Sequence, residues 1–330
     1  MDVTQTHVAF DLAHDSPLLS CRFSPDGRYV FAGSQDYSVC RFEIATGNKT
    51  IVPTEAWVRA LAFSGDGSTL VTGGYDGRLM WWPVAGDDAT ATAVRSVDAH
   101  EGWIRAIAVS PDGSLLASVG NDLTVRLWNM SDGQLVRELS GHTSHVYNVA
   151  FHPSGADLAT GDLMCSLIHW DVATGKQVRT WKAESLQKYD KTFVATIGGF
   201  RGMTFTTDGS RILCSGITNV SNAFAGVGNP SVVAFDWASG EQKIEHLSKG
   251  KIRGVAWGVV AHPDGTVIGA TGGSGGFLLF WKPDEAEEFH NVKLKDVARD
   301  LDLSPDGLHL ATPHFNGHVY VSRMDRKAEG

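Results

Sequence analysis

A five-residue turn signal recurs seven times along this chain, and it restricts the possible folds more than any other feature. The copies are FSPDG at 23–27, FSGDG at 63–67, VSPDG at 109–113, FHPSG at 151–155, FTTDG at 205–209, AHPDG at 261–265 and LSPDG at 303–307. Proline presets φ, aspartate bonds its own turn, and glycine accepts a positive φ, so each copy marks a tight reversal between apolar runs. Successive copies start 40, 46, 42, 54, 56 and 42 residues apart, the spacing expected of a four-stranded blade repeated around a ring.

Residues 100–139 show what lies between the turns. The runs 104–109, 115–119, 124–128 and 134–139 read as four short strands, separated by the 111–113 turn, by Asn121-Asp122 and by 131–133. One such antiparallel sheet cannot bury both of its faces, so neighbouring copies must stack on it. The seventh repeat supplies runs at 297–303, 308–312 and 318–323 and lacks a fourth strand, whereas 7–12 is a strand signal without a blade. Pairing 7–12 into the last sheet closes the ring and removes an open edge.

Within residues 100–139, His100, Ser118, Asp122 and Trp128 occupy the places of a hydrogen-bonded His–Ser/Thr–Asp–Trp tetrad. On these residues and the seven turns the chain resembles the WD40 repeat family, which implies an all-β, seven-bladed β-propeller of four-stranded antiparallel blades. The set is partial elsewhere. Thr72, Asp76 and Trp82 lack the histidine; His142, Thr160 and Trp170 have Met164 at the acid's place; His14 and Asp36 stand with Ala32 and Phe42. Thr271 and Trp281 remain in the sixth repeat and Thr312 in the seventh.

Length alone suggests two domains at 330 residues, but a ring of repeats is one unit, so residues 1–330 read as a single domain. No run of eighteen apolar residues occurs, and 1–14 has neither a basic start nor an apolar core, which reads as neither membrane-spanning nor secreted, and as cytoplasmic. Cys21, Cys40, Cys165 and Cys214 have no metal-ligand spacing and sit in strand-like runs, as buried, unpaired thiols do. A net charge of −9 argues against duplex nucleic acid as a partner.

Counting back four from the apolar residue before each turn gives Arg59, Arg105, Arg201 and Arg299; Arg253 joins them if the extra residues of the sixth repeat follow Trp257. The fourth repeat has Tyr147 there and the first has Leu19. The first strand of a blade is innermost, so five guanidinium groups should surround the channel mouth. At about 10 Å each of their ten pairings costs about 0.4 kcal/mol in bulk water, and about four times that at an effective dielectric near 20. Either Glu55, Glu101, Asp300, Asp76 and Asp122 compensate from within, or an anionic ligand does, since arginine bonds carboxylate and phosphate bidentately. In WD40 proteins this position commonly contacts partners, as the resemblance implies. Trp57 and Trp103 precede the arginines by two, with His145 and Lys251 at the matching places, and read as interface anchors or as caps on the blades.

Two insertions, 184–198 and 217–230, fall on the mouth side of the fifth repeat, where long loops carry recognition or are decorative. A polar loop at 86–92 lengthens the outer connection of the second repeat. The glycine run 272–276 reads as a turn between strands and not as a phosphate loop, and no hydrolase, metalloprotease or nucleotide-binding motif is present. His309, His314 and His318 cluster without a carboxylate or cysteine, which argues against a metal. These readings converge on a non-catalytic scaffold without cofactor or metal. It binds a protein or an acidic or phosphorylated peptide through Trp57, Arg59, Trp103, Arg105, Tyr147, Arg201, Arg253 and Arg299. The expected assembly is a monomer or a subunit of a larger complex. The alternative is a propeller hydrolase or lyase acting on an anionic small molecule at the channel mouth.

Overall fold

The computed structural model describes residues 1–84, 92–192, 194–222, 227–250, 252–273 and 275–326. Seven antiparallel sheets of four strands follow one another around a propeller. Blade three is typical: Ile104–Val109 is innermost, followed outwards by Leu115–Gly120, Val125–Asn129 and Leu135–Leu139. Their inner strands are buried almost throughout because each sheet is covered on both faces by its neighbours. The contact clusters run between adjacent blades accordingly: Val119, Leu127 and Leu139 of blade three pack on Val149, Leu158 and Trp170 of blade four. Five of the seven turns close the same way, with the Ser or Thr hydroxyl that precedes the turn donating to the turn aspartate, as in Ser110 Oγ to Asp112 Oδ1 at 2.6 Å, and in blades four and six His152 and His262 take that place against Ser154 and Asp264.

Blade seven is completed by the N-terminal strand, His7–Ala13, which pairs antiparallel with His318–Arg323. Its own first strand is shorter than the apolar run 297–303 leads one to expect. Only Asp302–Leu303 joins the ladder, with an isolated bridge from Ala298 to His314 upstream.

The tetrad is built as expected in blade three: His100 Nδ1 lies 2.8 Å from Asp122, its Nε2 lies 2.7 Å from Ser118 Oγ, and Trp128 Nε1 donates to that hydroxyl at 2.8 Å. Blade four corrects the sequence reading. Met164 does not leave the acid's place empty, because Asp162, from the end of the second strand, reaches His142 Nδ1 at 3.0 Å. Thr160 then accepts from Trp170 and meets His142 Nε2, both at 2.7 Å, so this tetrad is complete. In blade six Trp281 does not bond Thr271 but donates to the Leu247 carbonyl at 2.8 Å. Register explains the difference: Trp281, opposite Val267, holds the place that Trp128, opposite Leu116, holds in blade three, but the turn of blade six is one residue shorter, so Gly269 and not Thr271 stands where blade three has Ser118.

All four cysteines are buried and unpaired. Burial pushes the Cys40 and Cys165 thiols up to about 12. No helix among the described residues is long and apolar enough to cross a membrane.

Candidate functional site at the channel mouth

The ladder between the first two strands of a blade slips by one residue near the start of the first strand, in blades one, two, three, four and six. The residue skipped by the slip is Leu19, Arg59, Arg105, Tyr147 and Trp257 in turn. A bulge of this kind re-aims one side chain, and here it turns that side chain into the central channel. Arg201 and Arg299 stand four residues before the turns of blades five and seven, in the same place. Together these residues wall a mouth of about 290 Å³, with Tyr75, Gln35 and Phe315 at its edge.

Arg253 is not among the residues that line it. The extra residues of the sixth repeat precede Trp257 instead of following it: Gly254, Val255 and Ala256 pair before the slip, where blade three has Ile104 alone. Blade six therefore contributes an indole, and the mouth holds four arginines instead of five.

None of the four forms an ion pair with a carboxylate among the described residues. Four of the five expected internal partners are engaged elsewhere. Glu55 and Asp76 hold Arg78, Asp122 holds His100 and Arg126, and Asp300 holds Arg22. Aromatic faces take their place, a compensation that linear spacing does not disclose. The Arg105 guanidinium lies 4.6 Å from both Trp103 and Tyr147 ring centres, Arg201 lies 5.0 and 5.3 Å from Tyr147 and Trp257, and Arg299 lies 5.0 and 5.2 Å from Trp257 and Phe315. Each such contact is worth about 0.5–2 kcal/mol. A stacked ring covers the flat face of a guanidinium and leaves its in-plane N–H donors free to meet an anion, and it cancels no charge.

The remaining bonds of the four are few. Arg59 Nη1 donates to the Leu19 carbonyl, Arg105 Nε to Asn121 Oδ1 at 2.8 Å, and Arg201 Nη2 to the Gly198 carbonyl at 3.1 Å. The Nε atoms of Arg201 and Arg299 are buried without a partner. Burial pushes both guanidiniums below their ordinary value; Tyr147 opposes the fall at Arg201, Asp296 and Tyr75 oppose it at Arg299, and the charge of Arg59 adds to it at both.

Trp57 and Trp103 flank Tyr75, which stacks on Trp103 at 4.2 Å with planes 9° apart and meets Trp57 at 5.6 Å. Trp103 is 41% exposed and Phe315 47%, so the rim presents aromatic surface beside the charges. Lys251 lies outside the described residues, as do residues 223–226 of the second insertion, most of the 86–92 loop and Ser274 of the glycine turn. The first insertion folds as a short turn, Glu184–Leu186, and a hairpin of Gln187–Asp190 with Ala195–Gly198. The second extends the middle strands of blade five to Arg211–Asn222 and Val227–Asp236. Lys188 Nζ donates to the Val220 carbonyl, so the two insertions adjoin, and the Arg201–Gly198 bond sets the base of the hairpin against the mouth. His309, His314 and His318 face separate partners, Asp306, Thr312 and Asp11.

Beneath the mouth the ring is tied at its seam. Asp300 Oδ2 accepts from Arg22 at 2.8 Å and from the Cys21 N–H at 3.4 Å, and Asp302 Oδ2 accepts from the Phe23 N–H at 2.7 Å. Burial pushes the Asp302 carboxyl up to about 6, with Asp300 adding to the rise and Arg22 and the Phe23 N–H opposing it. The folded value exceeds the ordinary carboxylate value near 3.9, so the native state binds the proton more tightly than the unfolded chain. Ionised Asp302 therefore costs stability above about pH 6, and that cost fades as the pH falls towards 4. Asp302→Asn keeps an acceptor for Phe23 and removes the charge. It should melt higher than wild type at pH 7.5, with the difference shrinking below pH 5 in a thermal scan; a gap independent of pH would contradict this.

Comparison with known proteins gives two results. The WD40 family, described as WD domain, G-beta repeat, matches residues 5–42, 48–83, 91–129 and 133–171. The chain is 32% identical over 83 residues to a protein named WD40 repeat protein poxJ from Penicillium oxalicum, a match covering 23% of this chain and 24% of that one. The protein of the same name from Penicillium oxalicum strain 114-2 / CGMCC 5302 gives the same figures. The matched stretch thus spans about a quarter of the length of these curated relatives.

Proposed function

This chain belongs to the WD40 repeat family, and from that premise we propose that it is a non-catalytic scaffold whose channel mouth receives an acidic or phosphorylated side chain of a protein or peptide partner. The observation that carries this reading is the convergence of Arg59, Arg105, Arg201 and Arg299 on one opening with no carboxylate paired to any of them among the described residues. A cluster of like charges, stabilised by aromatic faces but not neutralised, gains most from an anion that its in-plane donors can grip bidentately. Trp57 and Trp103 would hold the residues that flank the anion, and the blade-five hairpin would bound them on one side. Four buried free thiols support a reducing compartment such as the cytoplasm for this scaffold.

The test is a set of otherwise identical degenerate peptides with a central phosphoserine, phosphothreonine, aspartate or serine, measured against wild type and against Arg105→Glu combined with Arg201→Glu. Peptides with the anionic centre should bind and the serine set should not. The double variant should lose at least about tenfold in affinity, since each charge-assisted bond is worth about 1.5–3 kcal/mol. Arg253→Glu, away from the mouth, should bind as wild type. Equal binding by the double variant would remove the arginines from the site.

A further inference from the structure

On the opposite face, where the third-to-fourth-strand turns lie, an arginine crosses from one blade to the next at four seams. Arg95 Nη1 donates to the Ser131 carbonyl at 3.0 Å, Arg137 Nη2 to Ala173 at 2.8 Å and Arg179 Nη1 to Ala238 at 2.8 Å. These three occupy equivalent fourth-strand positions, opposite Trp81, Leu127 and His169. At the next seam Arg211 does the same for Pro283 and Asp284. The arginine shafts run so close to the receiving turns that a Cβ on Gly133 or Gly175 would lie 2.5 or 2.4 Å from the passing Cδ.

The closing seam, from blade seven to blade one, is different. Opposite Val321, where the fourth strands of blades two, three and four carry arginine and those of blades one, five and six carry Thr50, Ile244 and His290, stands Phe10, which has no donor to offer. Ala45 occupies the turn position of Ser131, Ala173 and Ala238, and the following turn glycine, Gly47, has nothing within 4 Å of the place where a Cβ would be. The track left open is a cavity of about 950 Å³ walled by Phe10, Phe23 and Ile44, with Ala45 at its end and Asp26 and Asp306 at its rim. The rim's own cations are matched: Arg28 pairs with Glu43 at 2.7 Å and Arg323 lies 3.8 Å from Asp325.

We propose that this seam is a docking site for an arginine side chain of a partner protein, which would lay its aliphatic shaft on Phe10 and Ile44 and bring its guanidinium to the Ala45 carbonyl and the rim carboxylates. The chain itself suggests the occupant, because at three other seams it fills the equivalent track with an arginine of its own fourth strand. An apolar shaft with a cationic, multi-donor head fits a groove that is apolar along its length and oxygen-lined at its end. The site is independent of the channel mouth and of the peptide reading given above.

The experiment is an NMR titration of the full chain with N-acetyl-L-arginine amide, with the lysine and glutamine analogues as comparators. The arginine compound should shift the backbone signals of Ala45, Thr46 and Gly47 at least about threefold more than either comparator. Phe10→Arg should fill the track from within, abolish that response and melt no lower than wild type. Ala45→Trp, at an exposed turn position, should abolish it by blocking the opening, which keeps the test informative if the first variant folds poorly. Equal shifts from the three compounds, or an undiminished response in a folded variant, would overturn the proposal.

Discussion

A chain lacking residues 1–13 is expected to lose cooperative folding altogether. The strand removed, His7–Ala13, pairs with His318–Arg323 along most of its length and buries Leu12 against Val319 and Val321 of the last blade and Leu18 and Cys21 of the first. Its loss also breaks the contacts of Asp11 with His318 and with Lys295, and removes Val3 from the cluster that holds Leu294, Leu310 and Met324. Burial of a Leu, Val or Phe side chain contributes about 1.5–3 kcal/mol, so three such groups approach the whole stability of an ordinary domain. The cost is compounded by topology, because an unpaired edge and an open seam expose a strand ready to pair with another chain. Circular dichroism melting of the truncated chain should show no sharp transition, and a synthetic peptide of residues 1–13 added in trans should restore one. Melting of the truncated chain at the wild-type temperature would show that ring closure contributes little.

The second large effect is expected at Asp162. Its carboxylate is 1% exposed and accepts from His142, which is fully buried at its side chain, and from the Met164 and Ser166 N–H groups, each at 2.9 Å. Asp162→Ala leaves these three donors without a partner in a place water does not reach. Unmade buried hydrogen bonds cost about 1–3 kcal/mol each, and breaking a buried pair about 3–5 kcal/mol, so a loss of about 3–5 kcal/mol is expected. Asp76→Ala provides the contrast. That residue has no histidine partner and pairs with Arg78 in a site about one quarter exposed, so its loss should cost about 1 kcal/mol or less. Urea unfolding of both variants separates the cases; similar losses would mean that the tetrad of blade four is not the structural unit its geometry describes.

The limits of reading this chain as a string are visible at individual positions. The spacing from Ser118 to Asp122 points to Met164 for the acid of the blade-four tetrad, whereas Asp162 reaches the same histidine nitrogen from two residues earlier. Thr271 and Trp281 read as two members of a tetrad, yet the shorter turn of blade six places Gly269 and not Thr271 where Ser118 stands, and the indole bonds a backbone carbonyl. Placing the surplus residues of the sixth repeat after Trp257 put Arg253 in the ring; the plain count of four back from Ala261 arrives at Trp257, and the ladder slip bears that count out. The belt of rings around the arginines had only partial signals in the sequence, because Tyr75, Trp257 and Phe315 come from three blades and meet the mouth only when the ring is closed.

What the sequence determined by itself was the repeat: seven turns with fixed backbone demands, and between them short apolar runs that only stacked sheets can bury. Local conformation and hydrophobic burial are short-range properties, so they are legible in order along the chain. What the tertiary structure alone decided was the pairing of charges. Whether a guanidinium meets a carboxylate, an aromatic face or an empty seam depends on which blades are neighbours and on single-residue slips in a ladder, and a shift of one residue in a strand turns a side chain to the opposite side.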